Sequence, residues 1–419
     1  MTVTDTRPST TVSSPGLNDL HDPADRPAGC PAGRPDASSP AFRSAAVEPE
    51  PLFAPTFEAV RPGLREEALP AARLLAARPA YTTRYVAEHA AAAPSGFGLR
   101  SGADVVPQPG DVVLARVLEI GQHKRLESPV SRKALLFPGQ EILVAYGHRY
   151  APDQFLAYVP SSLEPCDLVA GGGLASQVRD AHARVDAATR IEPIGLLADR
   201  DGVVNLRDHA PERLVSEDGL PGALPPIFAV LGSSMNSGKS TTVGCLVNGL
   251  ANSGLTVAAG KVTGTGAGND VNLFRDAGAT RVMDFTDFGY PTTFQTDYDE
   301  ICRLLTSMVA ALAEESPDVI VLEIADGVFQ GETGRLLADP LFHRLVDSTL
   351  FAAQEALGAL SGSRILRESG VEVAAISGVL TASPLAAAEA AGHVPERIIP
   401  TFDLCRPEVA AGLLAGARR

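Results

Sequence analysis

Short apolar runs alternate with segments of helical periodicity throughout residues 222–419. Continuous apolar runs between turn residues are typical of strands buried on both faces of a parallel sheet, because helices then cover both sides. The pattern therefore predicts an α/β domain with a mostly parallel sheet covered by helices. Strands are predicted at 226–231, 255–260, 281–285, 318–324, 347–352 and 372–379, and helices near 239–252, 297–315, 353–367 and 384–391.

Residues 106–221 have a different pattern, in which short β-rich segments are separated by turn residues. This pattern predicts a small β-rich domain, either a barrel or a sandwich. Three glycines at 171–173 lead into 174–185, which is predicted to be a helix that could present its N-terminus to an anion. Polar residues between the strands either form a pocket for an anionic substrate or, as is commoner in loops, are simply solvated. They are His123, Lys124, Arg125, Arg132, Lys133, His148 and Arg149.

The residues before this domain fall into two parts. Residues 56–105 carry leucine and alanine at helical spacing on both sides of Pro79 and are predicted to be a helical segment. Residues 1–55 are rich in proline and small polar residues, so they cannot bury enough apolar surface to offset the entropy of ordering. We predict that this Pro-rich tail is disordered and is either a tether for a partner or a dispensable extension.

Composition narrows the range of partners. The 419 residues carry a formal net charge of −15, which argues against non-specific binding to nucleic acid. No apolar run reaches about eighteen residues, and the N-terminus lacks the features of a secretory signal, so we expect no membrane span and no secretion. The five cysteines are scattered, which favours reduced thiols in the cytoplasm over disulfides or a zinc site.

The strongest chemical signal is the loop between the first predicted strand and the first predicted helix of 222–419. A glycine opens it, and a Gly-Lys-Ser-Thr sequence closes it at the helix start. Backbone N–H groups there attract phosphate, the lysine supplies charge for the β and γ phosphates, and the serine hydroxyl is suited to Mg²⁺. We predict that the loop binds ATP and Mg²⁺ through Gly232, Ser234, Asn236, Ser237, Gly238, Lys239, Ser240 and Thr241.

This loop resembles that of dethiobiotin synthetase and of proteins with a dethiobiotin-synthetase-like domain, in which five residues also separate the first glycine from the Gly-Lys pair. The resemblance covers residues 222–419. It implies an ATP-dependent enzyme that activates a carboxylate or carbamate by phosphorylation for amide or ring formation. Partition-type ATPases of the same superfamily have an early second lysine, whereas this chain has Ser234 and Met235 there.

Lys261 and Thr263 follow the second predicted strand, in a glycine-rich loop. Ligands of open α/β sheets bind beyond the carboxyl ends of the strands, so this loop is expected to face the phosphate loop. Dethiobiotin synthetase has a lysine and a hydroxyl residue at the corresponding strand end. The resemblance therefore implies catalytic roles for Lys261 and Thr263, together with Lys239. A glycine-rich turn with a solvated lysine is the alternative.

Acidic residues end two other predicted strands. Glu323 ends the fourth strand and Asp326 follows it, which suits either carboxylate to hold Mg²⁺ or its water shell together with Ser240. Asp284 and Asp287 follow the third strand. They belong either to a substrate or switch loop, or to a turn that Asp287 caps.

The leading functional hypothesis is an ATP-dependent ligase or phosphotransferase of the dethiobiotin-synthetase-like class with an unknown small-molecule substrate. One alternative is a small-molecule kinase. The other is a nucleotide-dependent switch, a partner-binding NTPase without a small-molecule substrate. All three need the same phosphate-binding loop, so the residues do not separate them, and they leave a homodimer open.

Overall fold

The computed structural model describes residues 63–417, and the predicted disordered tail lies outside this range. The first part of the described chain forms a β-rich domain. Its strands are β1 (Arg65–Ala68), β2 (Arg78–Pro79), β3 (Gly98–Ser101), β4 (Val112–Glu119), β5 (Arg125–Glu127), β6 (Lys133–Leu135), β7 (Glu141–Tyr146), β8 (Arg149–Tyr150), β9 (Phe155–Tyr158), β10 (Cys166–Ala170), β11 (Leu174–Ala181), β12 (Thr189–Asp199) and β13 (Gly202–Val203). Its helices are α1 (Ala71–Ala76) and α2 (Arg84–Ala92).

Strands of this domain close into a barrel. β4 pairs with β7, β7 with β11, β11 with β10, β10 with β12, and β12 again with β4. Side chains alternate along β4: Val113 and Val117 belong to one apolar core, whereas Val112 and Leu114 pack in a second core with Val86 of α2. Both faces of the strand are therefore buried.

The predicted helix over 174–185 is wrong, because Leu174–Ala181 is strand β11. Leucine, valine and alanine recur there at a spacing that also suits a helix. In the fold, however, β11 pairs with β10 and β7 at its start and with β9 further along, so its backbone groups are satisfied by neighbouring strands. These tertiary pairings override the local periodicity. The three glycines form a turn between β10 and β11 and do not begin a helix.

The segment predicted to be helical, 56–105, is mixed in its described part. Helices α1 and α2 are present, but β1 and β3 pair with each other and β3 pairs with β12 of the barrel. The segment therefore packs with the β-rich domain.

The remaining residues form the predicted α/β domain with a parallel sheet. Its strands are β14 (Ile227–Gly232), β15 (Val257–Lys261), β16 (Arg281–Asp284), β17 (Val319–Glu323), β18 (Ser348–Ala352), β19 (Val373–Ser377) and β20 (Arg397–Ile398). Its helices are α3 (Lys239–Asn252), α4 (Gly268–Asp276), α5 (Tyr298–Ala313), α6 (Gly331–Leu337), α7 (Pro340–Leu345), α8 (Ala356–Glu368), α9 (Pro384–Ala391) and α10 (Pro407–Ala417).

The strand order is β16-β15-β17-β14-β18-β19-β20, and every neighbouring pair is parallel. The α/β prediction is thus confirmed, with all six predicted strands present. Strand β14 is buried on both faces: Ile227 and Leu231 pack in one core, and Phe228 and Val230 pack in the other. The sequence pattern missed β20 and helices α4, α6, α7 and α10 because these elements are short or weakly periodic.

Polar side chains near α2 join the two domains at the end of β16. The Tyr81 hydroxyl donates to Asp284 over 3.1 Å, and Arg84 forms an ion pair with Asp287 over 2.5 Å. Asp284 and Asp287 also cap the turn that follows β16. The predicted turn-capping role of Asp287 is therefore present, and the same carboxylate binds the other domain. Within residues 63–417, no helix is both long and apolar enough to span a bilayer.

Candidate nucleotide-binding site

The loop 233–238 connects β14 to α3 at the carboxyl edge of the parallel sheet, where α/β folds bind their ligands. Two residues in the left-handed backbone region turn the chain, Asn236 at a φ of 61° and Gly238 at 95°. Gly238 also packs closely on the turn after β19, because a Cβ atom added there would lie 3.1 Å from the Cα of Gly378. Both the backbone turn and this contact require glycine at the position before the lysine.

Lys239, the first residue of α3, is only 6% exposed, and its Nζ donates to the carbonyl oxygen of Ser234 over 2.9 Å. Burial lowers the pKa of Lys239, and the carboxylate of Glu323 acts in the opposite direction. Within the described chain, the hydroxyls of Ser237 and Thr242 are buried without a hydrogen-bond partner. Unsatisfied buried hydroxyls are costly, and neither residue lines the cavity beside the loop.

Three charged side chains form a cluster beside the loop. Lys261 at the end of β15 pairs in register with Glu323 at the end of β17, with 3.3 Å between Nζ and Oε1. Asp270, in the first turn of α4, forms a second ion pair with Lys261. Glu323 is only 2% exposed, and its Oε2 atom has no partner among the described residues.

The charges in this cluster depend on one another. Burial raises the pKa of Glu323, and the Lys261 ammonium partly opposes that shift. Burial would also raise the pKa of Asp270, but the nearby Lys261 outweighs it, so that the pKa falls below its ordinary value. The hydroxyl of Ser240 lowers the pKa of both carboxyl groups. One lysine therefore holds two acids close to the predicted metal-binding serine.

Asp326 lies in the turn after β17 and lines the same cavity as Lys239. Burial raises the pKa of Asp326, and the Lys239 ammonium opposes this shift. Thr263 has a different position: it is buried, and its hydroxyl both donates to the carbonyl of Ala325 and accepts from the N–H of Ala325 over 2.9 Å. The contacts of Thr263 are thus to the backbone of the turn that carries Asp326.

The β-rich domain supplies the other wall of a cavity of about 630 Å³. Asn236 of the loop donates to Oδ2 of Asp153 in this domain over 2.7 Å. Gly172, in the turn between β10 and β11, approaches the backbone of Gly266 so closely that a Cβ atom would collide with its carbonyl oxygen. Arg149 of β8 also lines the cavity and is 6% exposed.

Most of the residues predicted from the sequence are brought together here. Those that line the cavity are Asn236, Gly238, Lys239, Ser240, Thr241, Lys261, Glu323 and Asp326. From the sequence, Arg149 was one of several polar residues that could form a pocket for an anionic substrate, and Asp270 was the acid at the end of the glycine-rich stretch after Lys261. In the structure, Asp270 lies in the first turn of α4. Nothing in the sequence marked Asp153, because its partner belongs to the other domain.

Comparisons with known proteins give structural matches only. No family model and no curated protein matches the chain. The signal recognition particle 54 kDa protein from Aeropyrum pernix K1, in complex with GDP, is 18% identical, with 48% of this chain and 50% of that chain covered and a TM-score of 0.32. The receptor FtsY from Elizabethkingia anophelis, also with GDP, is 14% identical, with coverages of 50% and 59% and a TM-score of 0.27. FtsY from Thermotoga maritima is 18% identical, with coverages of 47% and 70% and a TM-score of 0.30.

The chain therefore spans only about half of the length of the first of these proteins. The matches correct the leading hypothesis: the dethiobiotin-synthetase-like ligase with a small-molecule substrate is wrong, since the structures that match are those of the signal recognition particle protein and its receptor. At these identities the likeness concerns the fold alone. Residues 227–417 form an α/β domain with a parallel sheet, in which the loop of phosphate-binding sequence connects β14 to α3.

Proposed function

We propose that this protein is a nucleotide-dependent switch, a P-loop NTPase that transmits the state of its phosphate loop to the β-rich domain and through it to a protein partner. The observation that carries the proposal is the 2.7 Å hydrogen bond between Asn236, in the loop, and Asp153, in the β-rich domain. A change in the loop therefore acts directly on a contact between the domains.

The loop has the groups that a triphosphate requires. Lys239 stands at the start of α3, where backbone N–H groups favour anions. The Nζ of Lys239 donates to the carbonyl of Ser234, and its other N–H groups are available to a phosphate. Asn236 lies between these residues in the sequence, which links occupancy of the loop to the bond with Asp153.

The cluster beside the loop fits Mg²⁺. The unpartnered Oε2 of Glu323 and the carboxylate of Asp270 are hard oxygen ligands, and Ser240 is the loop hydroxyl expected at such a metal. These residues would hold the ion directly or through water, with Asp326 as a further candidate. When bound, Mg²⁺ neutralises charge on the phosphates. Lys261 forms ion pairs with Asp270 and Glu323 and so fixes the position of both carboxylates.

In this proposal Lys239 orients the terminal phosphates, and the β-rich domain covers the cleft. ATP is the nucleotide we propose, with GTP as the competitor to be compared. The cytoplasm is the proposed compartment.

Hydrogen exchange tests the switch directly. Mg²⁺ with a non-hydrolysable ATP or GTP analogue is added to the full chain, and amide protection is followed in the loop and in residues 149–158. We expect protection to change in both places with the triphosphate analogue, and to differ from the pattern with the diphosphate. In Asn236→Ala, the loop should still respond while the response of 149–158 is reduced.

Asn248→Ala is the matched control. Asn248 lies on α3 and donates to the carbonyl of Ala277 within its own domain, so its loss leaves the interdomain contact intact. Nucleotide-dependent protection confined to the P-loop domain in the wild-type protein would reject the switch while leaving nucleotide binding in place.

A further inference from the structure

Arg149 is a buried cation in the wall of the nucleotide cavity. It begins β8 of the β-rich domain, is 6% exposed and lines the cavity together with Lys239 and Ser240 of the phosphate loop. Arginine is seldom buried to this degree unless it is paired. We therefore expect the structure to contain groups that pair with the guanidinium of Arg149.

No carboxylate of residues 63–417 forms an ion pair with Arg149, although the charges of Asp326 and Asp153 act on it from further away. Its Nε atom has no hydrogen-bond partner in that range, and Nη2 reaches the side-chain oxygen of Gln154 only at 3.4 Å. Two other arginines of the chain that are partly buried have a carboxylate partner: Arg190 pairs with Asp167 over 3.0 Å, and Arg84 pairs with Asp287 of the other domain. Arg149 therefore lacks the direct carboxylate contact that these two arginines have.

None of the nearby titratable groups in the described chain places a negative charge within bonding distance of Arg149. Asp153 accepts from Asn236 through Oδ2, and Asp326 is electrostatically coupled first to Lys239. Burial lowers the pKa of His123 to about 4, with the charge of Arg149 contributing, so His123 is neutral near pH 7. Burial also lowers the pKa of Arg149, but a guanidinium stays protonated in proteins. The cavity therefore contains a permanent, incompletely bonded positive charge.

We propose that Arg149, assisted by Gln154, forms an oxyanion-binding subsite on the β-rich side of the cavity. A guanidinium presents parallel N–H donors that match the two oxygens of a phosphoryl or carboxylate group. Two groups of the same chemistry could occupy this subsite. One is the terminal phosphoryl group of a nucleotide in the phosphate loop, and the other is a separate small anion. The first occupant rests on the proposed nucleotide function, and the second does not.

The first arm of the test compares triphosphate with diphosphate binding. Mg²⁺ complexes of AMP-PNP, GMP-PNP, ADP and GDP are titrated calorimetrically into the wild-type chain, Arg149→Met and Arg149→Lys. If the terminal phosphoryl group is the occupant, Arg149→Met weakens the triphosphate analogues by about 10- to 100-fold and the diphosphates little. Arg149→Lys keeps the charge but loses the paired donors. Its affinity for the triphosphate analogues should therefore lie between those of the wild type and Arg149→Met.

The second arm looks for a separate anion. Inorganic phosphate and acetate are titrated into the chain without nucleotide and with diphosphate bound, and the ¹⁵Nε–H signal of Arg149 is followed by NMR. A saturable shift of that signal in the wild-type protein identifies a separate anion, and this readout does not depend on any variant remaining folded. Arg190→Met is the control for loss of a barrel arginine, since Arg190 already has a carboxylate partner.

The outcomes distinguish failure of the oxyanion subsite from failure of the proposed nucleotide function. Loss of triphosphate preference in the Arg149 variants, or a saturable shift with a free anion, supports the subsite and identifies its source. If folded Arg149→Met binds every nucleotide as the wild type does, and neither anion shifts the Nε signal, the subsite is rejected. Nucleotide binding that still depends on Lys239 would then leave the proposed function standing.

Discussion

Lys261 and Glu323 occupy paired positions on adjacent parallel strands, and their side chains form an ion pair with 3.3 Å between Nζ and Oε1. The same register places Glu323 opposite Val230 of β14, the strand that leads into the phosphate loop. A one-residue slip would turn a side chain to the other face of the sheet, so strand register fixes these charges at the site.

Removing the lysine of this pair should destabilise the fold. In Lys261→Met, Glu323 and Asp270 keep buried or part-buried negative charge without their cation, and the loss of one partner of a buried pair typically costs about 3–5 kcal/mol. We expect the free energy of unfolding, measured by urea denaturation at pH 7, to fall by a similar amount.

The double variant Lys261→Met/Glu323→Gln is the control for this prediction. It removes the most buried charge together with its partner, so it should be more stable than Lys261→Met alone. A double variant that is less stable than the single one would show that the uncompensated charge of Glu323 is not the cause.

Loss of Lys239 should abolish tight nucleotide binding without unfolding the protein. The side chain supplies the point charge for the β and γ phosphates, and burial already disfavours its charged form in the free protein. Calorimetric titration of Mg²⁺ with ATP or GTP into Lys239→Ala checks this, with the exposed Lys124→Ala as a control. Equal affinities for the wild type and Lys239→Ala would reject the loop as the nucleotide site.

The sequence predicted the parts of the site that depend on local pattern. The phosphate loop and Glu323 could be found because each follows a continuous apolar strand, and all ligands of a parallel sheet gather at one edge. The contact of Asn236 with Asp153 could not, because it depends on how a barrel packs against the sheet. Strand β11 was mistaken for a helix for the same reason: its backbone partners are distant in sequence.

Glu323→Gln should affect the metal more than the nucleotide. The substitution keeps the shape of the side chain but removes the charge beside Ser240, and amide oxygens are weaker ligands for Mg²⁺ than carboxylates. We expect the apparent affinity for Mg²⁺, titrated at fixed nucleotide, to fall by about tenfold or more, with a smaller change in metal-free nucleotide binding. Asp326→Asn is tested in parallel, and an unchanged Mg²⁺ affinity in both variants would contradict the assignment.

The contact between the domains should make stability depend on pH. Asp284 is 1% exposed and accepts from the Tyr81 hydroxyl, with Asp287 and Arg84 as the facing charges. Burial, followed by repulsion from Asp287, raises the pKa of Asp284 from 3.8 to about 6. When the pH lies between the ordinary pKa of 3.8 and the folded pKa of about 6, Asp284 binds a proton in the folded chain but not in the unfolded chain. The contribution of Asp284 to stability therefore falls as pH rises.

Asp284→Asn removes this titration but keeps a side chain that can cap the turn. The free energy of unfolding of the variant should therefore improve relative to the wild type between pH 4 and pH 7, by about 1–3 kcal/mol, since each unit of pKa shift corresponds to about 1.4 kcal/mol. Urea denaturation of both proteins across this range measures the difference, and the exposed Asp201→Asn provides the control. Parallel stability profiles for the wild type and Asp284→Asn would show that Asp284 does not titrate in this window, because only a group that changes its protonation between the folded and unfolded states can alter the slope.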